Sequence, residues 1–94
     1  MIQSFADRET ERIWNGLRSR ALPTNIQSAA LRKLRMLNQA RRLEDLGVPP
    51  GNRLEQLKGD RRGQYSIRIN EQWRICFRWT TGRPDNIEIV DYHR

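Results

Sequence analysis

Apolar residues repeat along this chain with one period in its first half and another in its second. Over residues 26–42, Ile26, Ala30, Leu34 and Leu37 fall on one side of a helix, flanked by Ala29, Leu31 and Ala40. Arg32, Lys33, Arg35 and Gln39 are read as pointing away from that stripe, onto a basic face that is either solvated or a contact for a polyanion. Leu22-Pro23 breaks the chain just before this helix, and Thr24 with Gln27 has the spacing of a capping box. A shorter helix is expected after Asp7, which can cap it, with Glu9 and Glu11 at its positive end. Ile13, Trp14 and Leu17 would form its apolar stripe, and Arg18 and Arg20 would sit near its C-terminal end. Residues 1–5 read as a short opening strand, and residues 43–46 as a helical turn stopped by Gly47, Pro49, Pro50 and Gly51.

Beyond that stop the period falls to two. Tyr65, Ile67 and Ile69 alternate with Ser66 and Arg68 over residues 65–70; Trp73, Ile75, Phe77 and Trp79 alternate with Arg74, Cys76 and Arg78 over residues 73–79. A short polar turn around Glu71 makes the pair a hairpin, and Gly82 and Pro84 mark a second turn before a strand over residues 86–92. The pattern predicts one α+β domain over residues 1–94, ordered β-α-α-β-β-β, with two helices packed on a small, mainly antiparallel sheet.

Strand alternation also sorts the side chains into faces. Tyr65, Ile67, Ile69, Trp73, Ile75, Phe77 and Trp79 make the face that must bury against the helices. The opposite face carries Arg68, Arg74 and Arg78 with Ser66 and Cys76, and is expected to meet solvent. Three guanidinium groups and no carboxylate on either strand repel one another, so this face should attract an anion, with phosphate the economical choice.

Charge sharpens that expectation. Eighteen basic residues face eleven acidic ones, a net +7, and sixteen of the eighteen are arginine. Arginine grips phosphate with a planar fork and stacks on bases, so a polyanionic partner is favoured over a merely soluble surface. A chain of 94 residues that is 36% hydrophobic supports a single modest core, which leaves a shallow functional face and a large substrate held partly elsewhere. The first residues turn charged at once, without the apolar core of a signal peptide, and no apolar run reaches the length of a membrane span. With one cysteine the chain cannot form an internal disulfide, and the expected compartment is the cytoplasm. One His and one Cys are too few for a dedicated zinc site, so no metal and no cofactor are expected.

Two clusters hold candidate proton-transfer groups. The chain ends Asp91-Tyr92-His93-Arg94: His93 is either an exposed terminal ring or a catalytic imidazole, with Asp91 to orient it and Tyr92 to give or take a proton. The stretch over residues 53–63 reads by itself as a strand and a charged loop, and Cys76 as a passive thiol with no base beside it.

From Leu57 the sequence runs L-x-G-D-R-x-G-Q-Y-S-I-R-I-N-x-Q-W-R-I-C-F-x-W and then closes on V-D-Y-H. Together with Gly51-Asn52-Arg53-Leu54-Glu55, this C-terminal half resembles the HigB toxins of the RelE superfamily. The resemblance implies a RelE-like sheet on two helices whose concave basic face enters the A site of the 30S ribosomal subunit and cuts messenger RNA without a metal. It implies a HigA-like helix-turn-helix antitoxin as partner, with operator DNA reached only through that partner. Carried over by position, Arg74 matches the family's arginine on the central strand, suited to stabilising a phosphorane, and Asp91, Tyr92 and His93 match the D-Y-H ending. Glu55 stands where some members have a histidine, as a base or as a structural substitute. Arg53 and Lys58 lie where relatives place phosphate contacts, and Arg61, Arg62, Arg68 and Arg78 complete the expected RNA-binding set. Two rival activities share these features: a ParE-like poison of DNA gyrase, and a noncatalytic ribosome- or RNA-binding module.

Overall fold

The computed structural model describes residues 1–92. Helix α1 spans Arg8–Trp14 and α2 spans Thr24–Gln39; strands β1 Glu55–Gln56, β2 Tyr65–Arg68, β3 Trp73–Thr80 and β4 Arg83–Asp91 form one antiparallel sheet in the order β1-β2-β3-β4. Three short 3-10 turns, Leu43–Gly47, Pro50–Asn52 and Gly59–Arg61, punctuate the long connection from α2 to β2. The expected opening strand is reduced to a parallel bridge between Phe5 and Ile87, supported by Ala6 N–H on the Ile87 carbonyl at 2.8 Å. The sheet instead gains the two-residue β1 from the stretch read as strand and charged loop.

The two apolar patterns meet as expected. Ile26, Ala30, Leu34 and Leu37 of α2 are buried, and so are Ile67, Ile75, Phe77, Ile87 and Ile89 from the facing side of the sheet. Each of the isoleucine, leucine and phenylalanine side chains contributes about 1.5–3 kcal/mol on leaving water. Pro84 and Ile87 both lie on this face although they are three positions apart, which plain alternation forbids. The register explains it: Cys76 pairs with Glu88 but Arg78 pairs with Asp85, so β4 carries one extra residue. Asn86 takes up that extra residue at φ 54°, a left-handed conformation that asparagine tolerates better than most. The β3–β4 turn has Thr81 and Gly82 at φ 50° and 77°, as a two-residue type I′ hairpin requires.

Local details of the helices depart from expectation. Asp7 does cap α1, accepting from the Thr10 N–H at 3.4 Å, but Gly16 at φ 79° closes the helix early. Leu17 therefore leaves the expected stripe and is 52% exposed, and Arg18 and Arg20 lie beyond the helix end. The Thr24–Gln27 capping box does not form; Gln27 instead holds the preceding linker, donating to the carbonyls of Ser19 and Leu22 at 2.8 and 2.9 Å. Lys33 is the largest correction. It is buried rather than on the basic face, with its ammonium donating to Asn52 Oδ1. Burial, with Arg32 nearby, lowers its pKa below the ordinary lysine value. No helix among the described residues is long and apolar enough to cross a membrane.

Candidate active site

On the side of the sheet away from the helices, cross-strand pairing builds two rows. Glu55, Ser66, Cys76 and Glu88 line up across the four strands, and beside them Arg68 pairs directly with Arg74, which pairs with Val90. The alternation thus puts both arginines where it should. The face is not simply solvated, however: Ser66 and Cys76 are fully buried and Arg74 is 8% exposed. Nor is it free of carboxylates, because the outer strands bring Glu55 and Glu88 to it. Part of the connection between α2 and β2 folds over this side and touches it through Arg53 and Arg61.

Arg74 lies where a buried guanidinium can be satisfied. Its Nε donates to Ser66 Oγ at 2.7 Å, and its Nη2 donates to the Arg53 carbonyl at 2.6 Å and to the Ser66 carbonyl at 3.3 Å. The Tyr92 ring covers the guanidinium carbon at 5.8 Å from its centroid, within cation–π range. Arg53 adopts φ 44° and ψ 57°, and this left-handed turn ends the Pro50–Asn52 segment where its carbonyl meets Arg74.

Around Arg74 opens a cleft of about 630 Å³, lined also by Arg53, Glu55, Arg68 and Tyr92 from the expected set. Leu54, Asn70 and Glu71, which sequence reasoning had not singled out for chemistry, line it too. Asn70 Oδ1 accepts from the N–H groups of Gln72 and Trp73 at 2.8 Å each, so it shapes the hairpin turn at the cleft's edge. The only hint of this in the sequence was the position of Asn70 at the end of a strand, where such side chains commonly cap turns. Glu71 Oε1 lies 4.0 Å from Arg68 Nη2 and is itself exposed, a weak pair that leaves Arg68 available to an anion.

The remaining expected site residues separate. Asp91 accepts from Gln72 Nε2 at 3.1 Å and is not among the cleft-lining residues. Lys58 and Arg62 line a second groove of about 520 Å³ with Gln56, Gly59 and Gly63. Arg61 bridges to Glu88 at 3.1 Å, and Arg78 lies beside Gly63, where a Cβ would come within 3.1 Å of its Nη1. His93 and Arg94 lie outside the described residues.

Cys76 is a neighbour of the site and not a nucleophile in it. Burial pushes its thiol from the ordinary 9.0 up to about 11, only partly opposed by the Arg61 charge. Since the folded thiol holds its proton more tightly than the unfolded one, its contribution to stability is intact below pH 9 and fades as pH rises towards 11. Urea unfolding at pH 8 and again near pH 10.5 should show the wild type losing about 2 kcal/mol more than Cys76→Ala. Equal losses in the two proteins would remove the thiol from this account.

Arranged this way, the cleft presents a fixed, nearly dehydrated cation flanked by a second arginine, a carboxylate and a tyrosine. Such a set suits an anion whose charge grows during reaction. The family model for the RelE-like HigB toxin of type II toxin–antitoxin systems matches residues 3–93. The chain is 41% identical to Toxin HigB-1 of Vibrio cholerae over the whole of itself and 99% of that protein. It is 42% identical to Endoribonuclease HigB of Proteus vulgaris over 44% of its own length and 45% of the relative's. Among solved structures, a chain of the YoeB–YefM complex from Staphylococcus aureus superposes with a TM-score of 0.62 at 18% identity, covering 100% of this chain and 99% of that one, a likeness of fold. Site geometry aside, the full-length match and the family model are sufficient: this chain belongs to the HigB family of RelE-like toxins of type II toxin–antitoxin systems.

Proposed function

We propose that this toxin is an endoribonuclease that cuts messenger RNA held on the ribosome, in the cytoplasm, and is restrained by a HigA-like antitoxin. The observation that carries the reading is Arg74, a guanidinium locked by Ser66 and the Arg53 carbonyl inside a cleft shared with Arg68 and Tyr92. The Proteus vulgaris relative is named an endoribonuclease, and the Staphylococcus aureus neighbour was solved as the YoeB–YefM complex.

In this mechanism the RNA's own 2′-hydroxyl attacks the adjacent phosphorus. Its proton passes to a base, the bond to the 5′-oxygen breaks, and an acid protonates the leaving oxygen, giving a cyclic phosphate and a free 5′-hydroxyl. Arg74 stabilises the phosphorane with Arg68 assisting. Tyr92 or His93 handles protons, Asp91 orients His93, and Glu55 stands at the cleft as a base or as a structural replacement for histidine. Arg53 is placed to hold phosphate at the same cleft, while Lys58 and Arg62 offer a second contact along the strand. The ribosome positions the message, which so small a domain cannot do by itself.

Mapping message ends in a translation extract tests the reading. Purified toxin should leave new ends within codons on ribosome-bound message and none on the same RNA free in solution. Broken DNA with intact message would instead mark a gyrase poison, and salt-sensitive ribosome binding without new ends would mark a noncatalytic module.

A further inference from the structure

Behind the cleft, a buried polar chain links α2 to the turn that holds Arg74. Lys33 falls on the apolar side of α2, three residues after Ala30 and four before Leu37, and is 8% exposed. Its ammonium donates to Asn52 Oδ1; Asn52, fully buried, donates in turn to the Leu46 carbonyl and the Met36 sulfur, each at 2.9 Å. An apolar pair would fill this space without the cost of dehydrating an ammonium, so burial of the lysine calls for a return elsewhere. The next residue provides it. Arg53 sits in the left-handed region, a conformation that costs an ordinary residue about 1–2 kcal/mol, and its carbonyl accepts from Arg74 Nη2 at 2.6 Å.

We propose that Lys33 and Asn52, neither of which lines the cleft, are positioning residues for Arg74: they pin the left-handed turn at Arg53 whose carbonyl fixes the guanidinium. The claim of a catalytic effect rests on the proposed role of Arg74. The claim of position does not. Lys33→Met keeps the length of the side chain and removes the donor that orients Asn52. The turn then loosens, and Arg74 loses one of the carbonyls that hold it.

Two readouts on the full chain decide this. Exchange of the Arg74 Nε–H with solvent, identified in ¹⁵N spectra by its loss in Arg74→Lys, reports position. Lys33→Met should speed it about tenfold beyond a control, Asn38→Ala, compared at matched global stability. Asn38 accepts from the Ile2 N–H at 3.0 Å and takes no part in the chain of bonds described here. Single-turnover cleavage reports consequence. At saturating toxin the rate should fall about tenfold in Lys33→Met, with the half-saturating concentration unchanged, and the loss should shrink below about twofold in an Arg74→Lys background. A general loss of structure would not vanish in that background. Unchanged Nε–H exchange, or an undiminished loss beside Arg74→Lys, overturns the inference. If Lys33→Met does not fold, Asn52→Asp, which keeps an oxygen for Lys33 but loses the donor to Leu46, is held to the same measurements. If the wild type cuts no message, the functional reading falls, while the exchange result still decides whether Lys33 positions Arg74.

Discussion

Replacing Arg74 with alanine is expected to slow cleavage of ribosome-bound message by about a hundredfold or more, the effect of removing one preorganised donor worth roughly 3–4 kcal/mol to the transition state. The same substitution carries a structural cost that must be separated from the chemical one. It leaves the buried Ser66 hydroxyl and the Arg53 carbonyl without their donor, at about 1–3 kcal/mol for each group left unsatisfied. A domain of 94 residues has about 5–14 kcal/mol in total, so the variant should fold but melt earlier. Arg74→Lys distinguishes the two effects. A lysine restores the charge but cannot serve Ser66 Oγ and the Arg53 carbonyl through one rigid fork, so its rate should lie between those of the wild type and the alanine variant. Single-turnover rates read beside urea unfolding would separate the terms. A folded Arg74→Ala protein that cleaves at the wild-type rate would remove Arg74 from the mechanism.

That this arginine belonged to the site was legible because a strand has period two. Arg68 and Arg74 each alternate with apolar residues that must bury against the helices, so they had to share the opposite face, and they are in fact direct partners. Tyr92 came instead from the chain-end cluster with Asp91 and His93 and from the D-Y-H ending of the family resemblance. The period does not say what lies over a face. Arg53 and Arg61 reach onto this one from a connection broken by Gly47, Pro49, Pro50 and Gly51, and the pairing of Arg61 with Glu88 joins residues with no local relation. Ser66, Cys76 and Arg74 were therefore read as solvated and are buried. Arg61, one of the expected RNA contacts, bridges to Glu88.

Other departures have signals in the sequence. Lys33 occupies a stripe position by spacing alone, between Ala30 and Leu37, and only its charge argued it outward. Gly16 preceded Leu17 and was enough to end α1 before the expected stripe was complete. Pro84 and Ile87, both apolar and three apart within one strand, announce a bulge, since no regular strand buries both. Lys33 was decided by position over charge, α1 by a glycine over spacing, and β4 by the burial of two residues that regular alternation cannot bury together.

Tyr92→Phe is expected to produce the second large effect. The phenyl ring keeps its place over Arg74, and the backbone N–H of residue 92 still donates to the Gln72 carbonyl at 2.7 Å, so unfolding should be nearly unchanged. Only the hydroxyl is lost. If that oxygen gives or takes a proton in the reaction, the saturating rate should fall by about a hundredfold, the usual worth of a positioned acid or base. Tyr92→Ala removes the ring as well and should add a loss of Arg74 placement to the loss of chemistry. The comparison is informative in both directions, because phenylalanine keeps the ring over Arg74 and removes the hydroxyl. A Tyr92→Phe protein as fast as the wild type, with Tyr92→Ala slow, would confine Tyr92 to holding the guanidinium and move the proton transfer to His93. His93→Ala would then have to show the hundredfold loss in its place.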